Sequence, residues 1–306
     1  MKLLGLDLVR ATENAAIAAS HWIGSGDKLE ADKAATEAIR RRLNKMEFCG
    51  TIAIGEGKKD KSYGLYHGEQ VGVLRVFNDL MPLDIAVDPI EGTRPTVTSG
   101  PEAMSVIAVA DNKCMFQTEE FYMNKLAFGA SIAKTVQLNI NDPIERTIQL
   151  ASLANGKKIT DIMVCILDRS RHLEVIARMR QMGVRIKLIQ DCDVSGAIAA
   201  CLPDRGIDLL YGVGGAPEAV LTACAVKCLG GGFQAQLCDK DGNKLDDKVY
   251  KQDDLVVGHC VFAATGITDG SLLKGCRFSE FGPITNSVFM RSESGTIRWM
   301  QSYHGN

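Results

Sequence analysis

The chain has 306 residues, with 35 Lys+Arg against 37 Asp+Glu, a formal net charge of −2 and 46% hydrophobic residues. That length supports a large core in one or two domains, and its near-neutral, scattered charge provides no field for nucleic acid or an anionic membrane. No apolar run approaches the roughly 20 residues of a membrane span, and the apolar start meets Asp7, Arg10 and Glu13 too soon for a secretory signal.

Leu4, Leu8, Ala11, Ala15, Ala18 and Trp22 recur at helical spacing, which predicts an amphipathic helix over 3–23, broken by Ser25-Gly26-Asp27. Ala34, Ala35, Ala38, Ile39, Leu43 and Met46 mark a second helix ending near Phe48, with Arg40-Arg41-Arg42 on its solvated face. Strands are expected at 51–55, 83–88, 104–110 and 113–117, with 57–81 partly loop. The second half alternates: strand 159–167, helix 171–182, strand 185–190, helix 194–201, strand 207–212 and helix 217–229. Further strands follow at 233–238 and 258–265, and a closing hairpin at 284–291 and 295–303. The alternation favours an α/β chain with a largely parallel or mixed sheet and helices on its faces. The helical stretch 144–153 followed by Asn155-Gly156-Lys157-Lys158 marks the boundary between halves 1–155 and 156–306.

Ten cysteines are dispersed without CxxC or zinc spacing. Cys224 and Cys228, four apart on a helix face, read as buried small hydrophobes rather than zinc ligands. Reduced thiols in a cytoplasmic protein are expected.

Chemistry concentrates in acids at element ends. The apolar run Leu83–Val87 ends on Asp88, Pro89 is expected to stop the strand, and Glu91, Gly92 and Thr93 to form a tight turn. A second apolar run ends on Glu56, between Gly55 and Gly57. Asp32 lies near the start of the second helix, and Glu218 follows Gly214-Gly215-Ala216-Pro217 at the start of another. Singly, each is ordinary turn chemistry. Together Asp32, Glu56, Asp88, Glu91 and Glu218 supply oxygens for two or three hard cations, Mg²⁺ or Mn²⁺ rather than Zn²⁺ or Cu²⁺. No GxxxxGK[ST] word supports nucleoside triphosphate chemistry.

The chain resembles class II fructose-1,6-bisphosphatase, within the wider lithium-sensitive, magnesium-dependent sugar and inositol phosphatases. The words that carry this are Gly26-Asp27-Lys28 with Asp32, Gly55-Glu56-Gly57, Asp88-Pro89-Ile90-Glu91-Gly92-Thr93-Arg94, and Phe121-Tyr122-Met123-Asn124-Lys125-Leu126. Arg171-His172, Asp191 with Asp193-Val194, and Gly214-Gly215-Ala216-Pro217-Glu218 complete the set. The resemblance implies an α/β (α+β) layered sandwich with mixed sheets, in which both halves form one active site and the five acids are the metal ligands. It places Lys28 beside the metals, where it stabilises phosphate charge or positions a ligand, and leaves Asp27 as cap or second neighbour. Thr93 orients the attacking water, with neighbouring carboxylates, Glu56 among the catalytic set, accepting its proton.

Gly92 brings backbone N–H groups to the phosphate. Arg169, Arg171 and His172 follow a strand and open a helix, as a phosphate pocket does. Asp191 and Asp193 are placed to accept from sugar hydroxyls, unless Asp193 caps its helix. Glu91, Tyr122 and Gly215 complete the substrate contacts; without the resemblance, Tyr122 reads as core. Departures are Arg169-Ser170 where the family has Lys-Pro, Ala219 for a glycine, basic Lys58-Lys59-Asp60-Lys61 for an acidic stretch, and a shorter segment between Cys238 and Val256. The shorter segment is expected to alter assembly or regulation, not chemistry.

The implied activity is hydrolysis of the 1-phosphate of fructose 1,6-bisphosphate, in gluconeogenesis, by a homo-oligomer, dimer or tetramer. Sedoheptulose 1,7-bisphosphate is the nearest rival substrate. An inositol-type monophosphatase or nucleotide phosphatase has no need of the Arg169/Arg171 cluster, and a non-catalytic sensor would lack ligand acids.

Overall fold

The computed structural model describes residues 4–55, 64–76, 81–118 and 121–305. In chain order, α1 (Gly5–Ser20) and α2 (Lys28–Leu43) lead into β1 (Gly50–Ile54), β2 (Gln70–Val71), β3 (Leu83–Glu91), α3 (Thr93–Val97) and β4 (Met104–Ala110). Next come β5 (Tyr122–Phe128), α4 (Ala130–Thr135), α5 (Ile144–Asn155), β6 (Met163–Leu167), α6 (Leu173–Gln181), β7 (Arg185–Ile189) and α7 (Asp193–Cys201). Then follow β8 (Leu209–Gly215), α8 (Ala216–Leu229), β9 (Gly232–Cys238), β10 (Tyr250–Lys251), α9 (Gln252–Leu255), β11 (Cys260–Gly266), β12 (Arg277–Ser279), β13 (Gly282–Arg291) and β14 (Thr296–Tyr303).

The chain forms two compact units, Met1–Gln117 with Val256–Asn306, and Thr118–Leu255. The division differs from the expected boundary at 155–156. The C-terminal strands return to the first unit, where β11 pairs with β4 and β13 with β11. Meanwhile α5, just before the expected boundary, buries Ile144, Ile148 and Ala151 in one cluster with Val164 and Leu209 of the second unit.

The first unit's sheet runs β12-β13-β11-β4-β3-β1-β2, with β14 on the other edge of β13. Among the described strands of this sheet, only β1 and β3 pair in parallel. Arg42 at the end of α2 pairs with Asp7 at the start of α1, so the helices run antiparallel. Their i, i+4 faces (Leu8, Ala11, Ala15, Ala19; Ala35, Ile39, Leu43) pack on Ile52, Ile85, Ile107, Val109, Val261 and Ala263. Each fully buried Leu or Ile contributes about 1.5–3 kcal/mol.

Pro89 does not stop β3. The register steps from Asp88↔Val106 to Glu91↔Met104, one extra residue on β3, so Pro89 lies in a bulge where no ladder N–H is needed. The expected strand at 113–117 is reduced to a single bridge, Met115↔Val256. Its backbone is taken instead by buried Asp84, whose Oδ2 accepts from the N–H groups of Cys114 and Met115 at 2.8 and 3.0 Å.

The second unit's sheet runs β10-β9-β5-β8-β6-β7. It is mixed: β6 is parallel to β7 and β8, whereas β5 is antiparallel to β8 and β9. Leu126 and Phe128 of β5 point to the cluster holding α5 and α6. By strand alternation Met123, Lys125 and Ala127 point the other way, to the face that carries α7. The ten cysteines carry free thiols. No described helix is long and apolar enough to cross a membrane.

Candidate active site

In the first unit, the bulge sets the chemistry. Asp88 and Glu91 bring one carboxylate oxygen each within 4.8 Å of the other. Asp88 Oδ1 also accepts from Ile90 N at 2.9 Å, which closes the bulge. Gly92 then takes φ 100°, ψ 53°, a left-handed conformation that glycine adopts without a Cβ penalty, and starts α3. This aims Thr93 back at α2, where its Oγ1 donates to Asp32 Oδ1 at 2.8 Å. Asp27 is the N-cap of α2, accepting from Glu30 N at 3.1 Å, so it serves as a cap. Lys28 follows it, exposed. Glu56 lies outside the described residues.

In the second unit, the predicted residues gather at the C-terminal ends of parallel strands. Arg169, after β6, donates from Nη2 to Asp191 Oδ1 at 2.6 Å, after β7. Arg171 donates from Nη2 to Val213 O at 2.8 Å, and its guanidinium lies 5.8 Å from the Tyr122 ring centroid. Tyr122 is thus a platform for a cation and not simply core. Tyr122 is also paired across the sheet with Gly215. Asp193 opens α7 and accepts from Lys125 Nζ at 2.7 Å. Glu218 sits in the first turn of α8 behind a proline, where the helix N-terminus favours an anion. A Cβ on Gly215 would lie 1.8 Å from Glu218 Oε2, so only glycine leaves the carboxylate its place.

Electrostatics follow burial. Desolvation pushes the Glu218 carboxyl up; Lys125 opposes this and Asp193 adds to it. Desolvation also lowers Arg171, with Arg169 contributing, though a guanidinium stays charged. Three of the predicted residues hold a buried polar atom with no hydrogen-bond partner among the described residues: Arg171 Nε, Asp191 Oδ2 and Glu218 Oε2. Buried polar atoms are ordinarily satisfied, so these three are suited to a ligand. The acids offer only carboxylate oxygens, a donor set that fits a hard divalent cation, and the orphaned Glu218 Oε2 agrees.

The sequence of bacterial fructose-1,6-bisphosphatase, glpX-encoded, matches as a family over residues 2–304. The chain belongs to this family. The D-fructose 1,6-bisphosphatase class 2/sedoheptulose 1,7-bisphosphatase of Synechocystis sp. is 37% identical over 332 residues, covering 98% of this chain and 96% of the relative. Proteins of the same name from two strains of Synechococcus sp. are 36% identical over 333 residues, covering 98% of this chain and 95% of each. The expected class II resemblance therefore holds along the whole bisphosphatase.

Sequence reasoning counted His172 with the basic phosphate cluster and did not foresee its structural role: 3% exposed, it locks the Arg171 turn. Its Nδ1 meets Leu167 O at 2.7 Å and its Nε2 accepts from Val213 N at 2.9 Å. Nor did it find the partner of Lys125. A lysine inside a run that is otherwise strand-like and apolar was the available signal.

Proposed function

We propose that this bisphosphatase hydrolyses the 1-phosphate of fructose 1,6-bisphosphate to fructose 6-phosphate and phosphate, with residues of both halves of the sequence serving one active site. Asp32, Glu56, Asp88, Glu91 and Glu218 hold the cations, Mg²⁺ or Mn²⁺, two or more per site. When bound, such ions neutralise phosphoryl charge and lower the pKa of water.

The chain's own groups do the rest. Thr93, its hydroxyl proton committed to Asp32, accepts a hydrogen bond from the attacking water and so aims it. Glu56 and Asp32 are the carboxylates that take the proton. Lys28 offsets phosphate charge, and the Gly92 turn offers backbone N–H groups. Arg169 and Arg171 hold the distal phosphate, Asp191 and Asp193 accept from sugar hydroxyls, and Glu91, Tyr122 and Gly215 shape the pocket. The observation that carries the substrate assignment is the Arg171 guanidinium, over the Tyr122 ring at 5.8 Å with its Nε buried and without a hydrogen-bond partner among the described residues. A monophosphatase has no use for it.

Sedoheptulose 1,7-bisphosphate is a second substrate, favoured by the dual name that the Synechocystis and Synechococcus relatives carry. We place the chain in the lithium-sensitive group, in the cytoplasm, in gluconeogenesis and in a dimer or tetramer. Phosphate release from both bisphosphates and from fructose 6-phosphate, myo-inositol 1-phosphate and AMP, with Mg²⁺ or Mn²⁺ and with added Li⁺, tests the assignment. Preference for a bisphosphate and inhibition by Li⁺ are expected; equal rates on all esters would overturn it.

A further inference from the structure

Lys125 is fully buried, among Met123, Leu126 and Ala127, which are equally inaccessible. An ammonium out of water is strongly disfavoured unless it is paired, and an apolar side chain of similar volume serves stability as well or better. Its placement therefore calls for a use. Its Nζ donates to Asp193 Oδ2 at 2.7 Å, and Asp193 is itself 6% exposed.

The surroundings are built around this pair. A Cβ on Gly214 would lie 2.0 Å from Asp193 Oδ2 and 3.0 Å from Lys125 Nζ, so β8 is cleared for it. Cys192, just before Asp193, takes φ 69°, ψ 49°, a left-handed conformation that costs a non-glycine residue energy. That strained turn is bracketed by two ion pairs: Arg169, from the segment after β6, with Asp191 on one side, and Lys125, from β5, with Asp193 on the other. A pair retained for stability alone gains nothing from a strained neighbour.

We propose that Lys125 is a positioning residue for sugar recognition. From inside the second sheet it clamps Asp193 against the strained turn, so that this carboxylate is presented to the sugar in one orientation. The inference rests on the reading of Asp193 as a sugar contact.

The test uses the whole chain, with Lys125→Met and Gly214→Ala as variants. The second keeps both charges but intrudes between them. Kinetics with Mg²⁺ are measured on fructose 1,6-bisphosphate and on p-nitrophenyl phosphate, which has no sugar. Calorimetry follows fructose 1,6-bisphosphate binding in EDTA, where no turnover occurs, and circular dichroism follows the fold. In both variants, kcat/KM and affinity for the sugar bisphosphate should fall about tenfold or more, mainly through KM, as a lost charge-assisted contact does. In Gly214→Ala, which leaves the Lys125 charge beside Glu218 in place, the aryl phosphate should change less than about threefold.

Parallel losses on both esters in Gly214→Ala, or an unchanged KM for the sugar in either folded variant, overturn the proposal. If Lys125→Met does not fold, Gly214→Ala decides. Loss of fold in both assigns the pair to stability and overturns it as well. Failure of the underlying reading looks different: the parent enzyme itself would neither bind fructose 1,6-bisphosphate nor prefer it to the aryl ester.

Discussion

Thr93 Oγ1 donates to Asp32 Oδ1 at 2.8 Å, joining the first turn of α3 to the start of α2 across 61 residues of sequence. The donation fixes the hydroxyl rotor. With its proton directed at a carboxylate, the oxygen can only accept from a further partner, which is the arrangement that aims a water molecule and gives its proton a destination.

Removing that hydroxyl should cost roughly a hundredfold or more in kcat, the range for positioned proton-transfer groups. Metal affinity should hardly change in Thr93→Ala, since no carboxylate is lost. Thr93→Ser keeps the donor but lacks the methyl that restricts the rotamer, so it should retain partial activity. The measurement is kcat at saturating metal and substrate. Parental turnover in Thr93→Ala would reduce the bond to turn chemistry.

The sequence made the periodic elements readable because their apolar spacing is local. The helix expected over 3–23 is Gly5–Ser20, and the hairpin expected near 284–303 pairs Gly282–Arg291 with Thr296–Tyr303. What escaped was non-local. Nothing local says that Cys260–Gly266 returns to pair with Met104–Ala110, and this pairing moves the unit boundary. Pro89 was read by its local rule, which the bulge between Asp88 and Glu91 overrides. At the site, residue types were legible but partners were not. Acids at strand ends are visible in sequence, whereas the bond of Lys125 to Asp193, 68 residues away, exists only once β5 and α7 are packed.

Arg171→Met keeps the apolar stem over Tyr122 and removes the guanidinium. If the guanidinium grips the distal phosphate, kcat/KM on bisphosphates should fall by about 1.5–3 kcal/mol, through KM. Slow hydrolysis of a monophosphate should be spared. Equal losses on both would mean that the bond from Arg171 to Val213 O matters only for structure.

His172 makes stability depend on pH. Burial holds its imidazole below the usual histidine range, against a smaller upward pull from Leu167 O. With the folded pKa below the unfolded one, the unfolded chain binds the extra proton first. The His172 contribution is thus complete above the unfolded value of about 6.5 and is lost as pH falls through the folded value. His172→Gln should therefore lower Tm at pH 7.5, by an amount equivalent to about 1–3 kcal/mol for an unsatisfied buried group. The gap from the parent should narrow at pH 5. A gap that is constant across this window in thermal melts would exclude titration of His172 as the cause.

Asp88→Asn separates charge from shape. The asparagine carbonyl can still accept from Ile90 N, as Asp88 Oδ1 does at 2.9 Å, so the bulge that carries Pro89 should persist. Asp88 is half-buried at the bulge inside β3, and a substitution that preserves its hydrogen bond there should shift Tm little. The negative charge beside Glu91 is gone, however, and a hard cation loses a principal oxygen donor. Turnover should fall at least about a hundredfold, and calorimetric affinity for Mn²⁺ by about tenfold or more, since even indirect supports of a metal ligand are worth that much. Raising the Mn²⁺ concentration should restore only part of the rate, because the lost donor also shapes the charge that the phosphate meets. Near-parental activity with unchanged metal dependence would remove Asp88 from the ligand set, and with it the reason for a bulge that sets two carboxylates within 4.8 Å of each other.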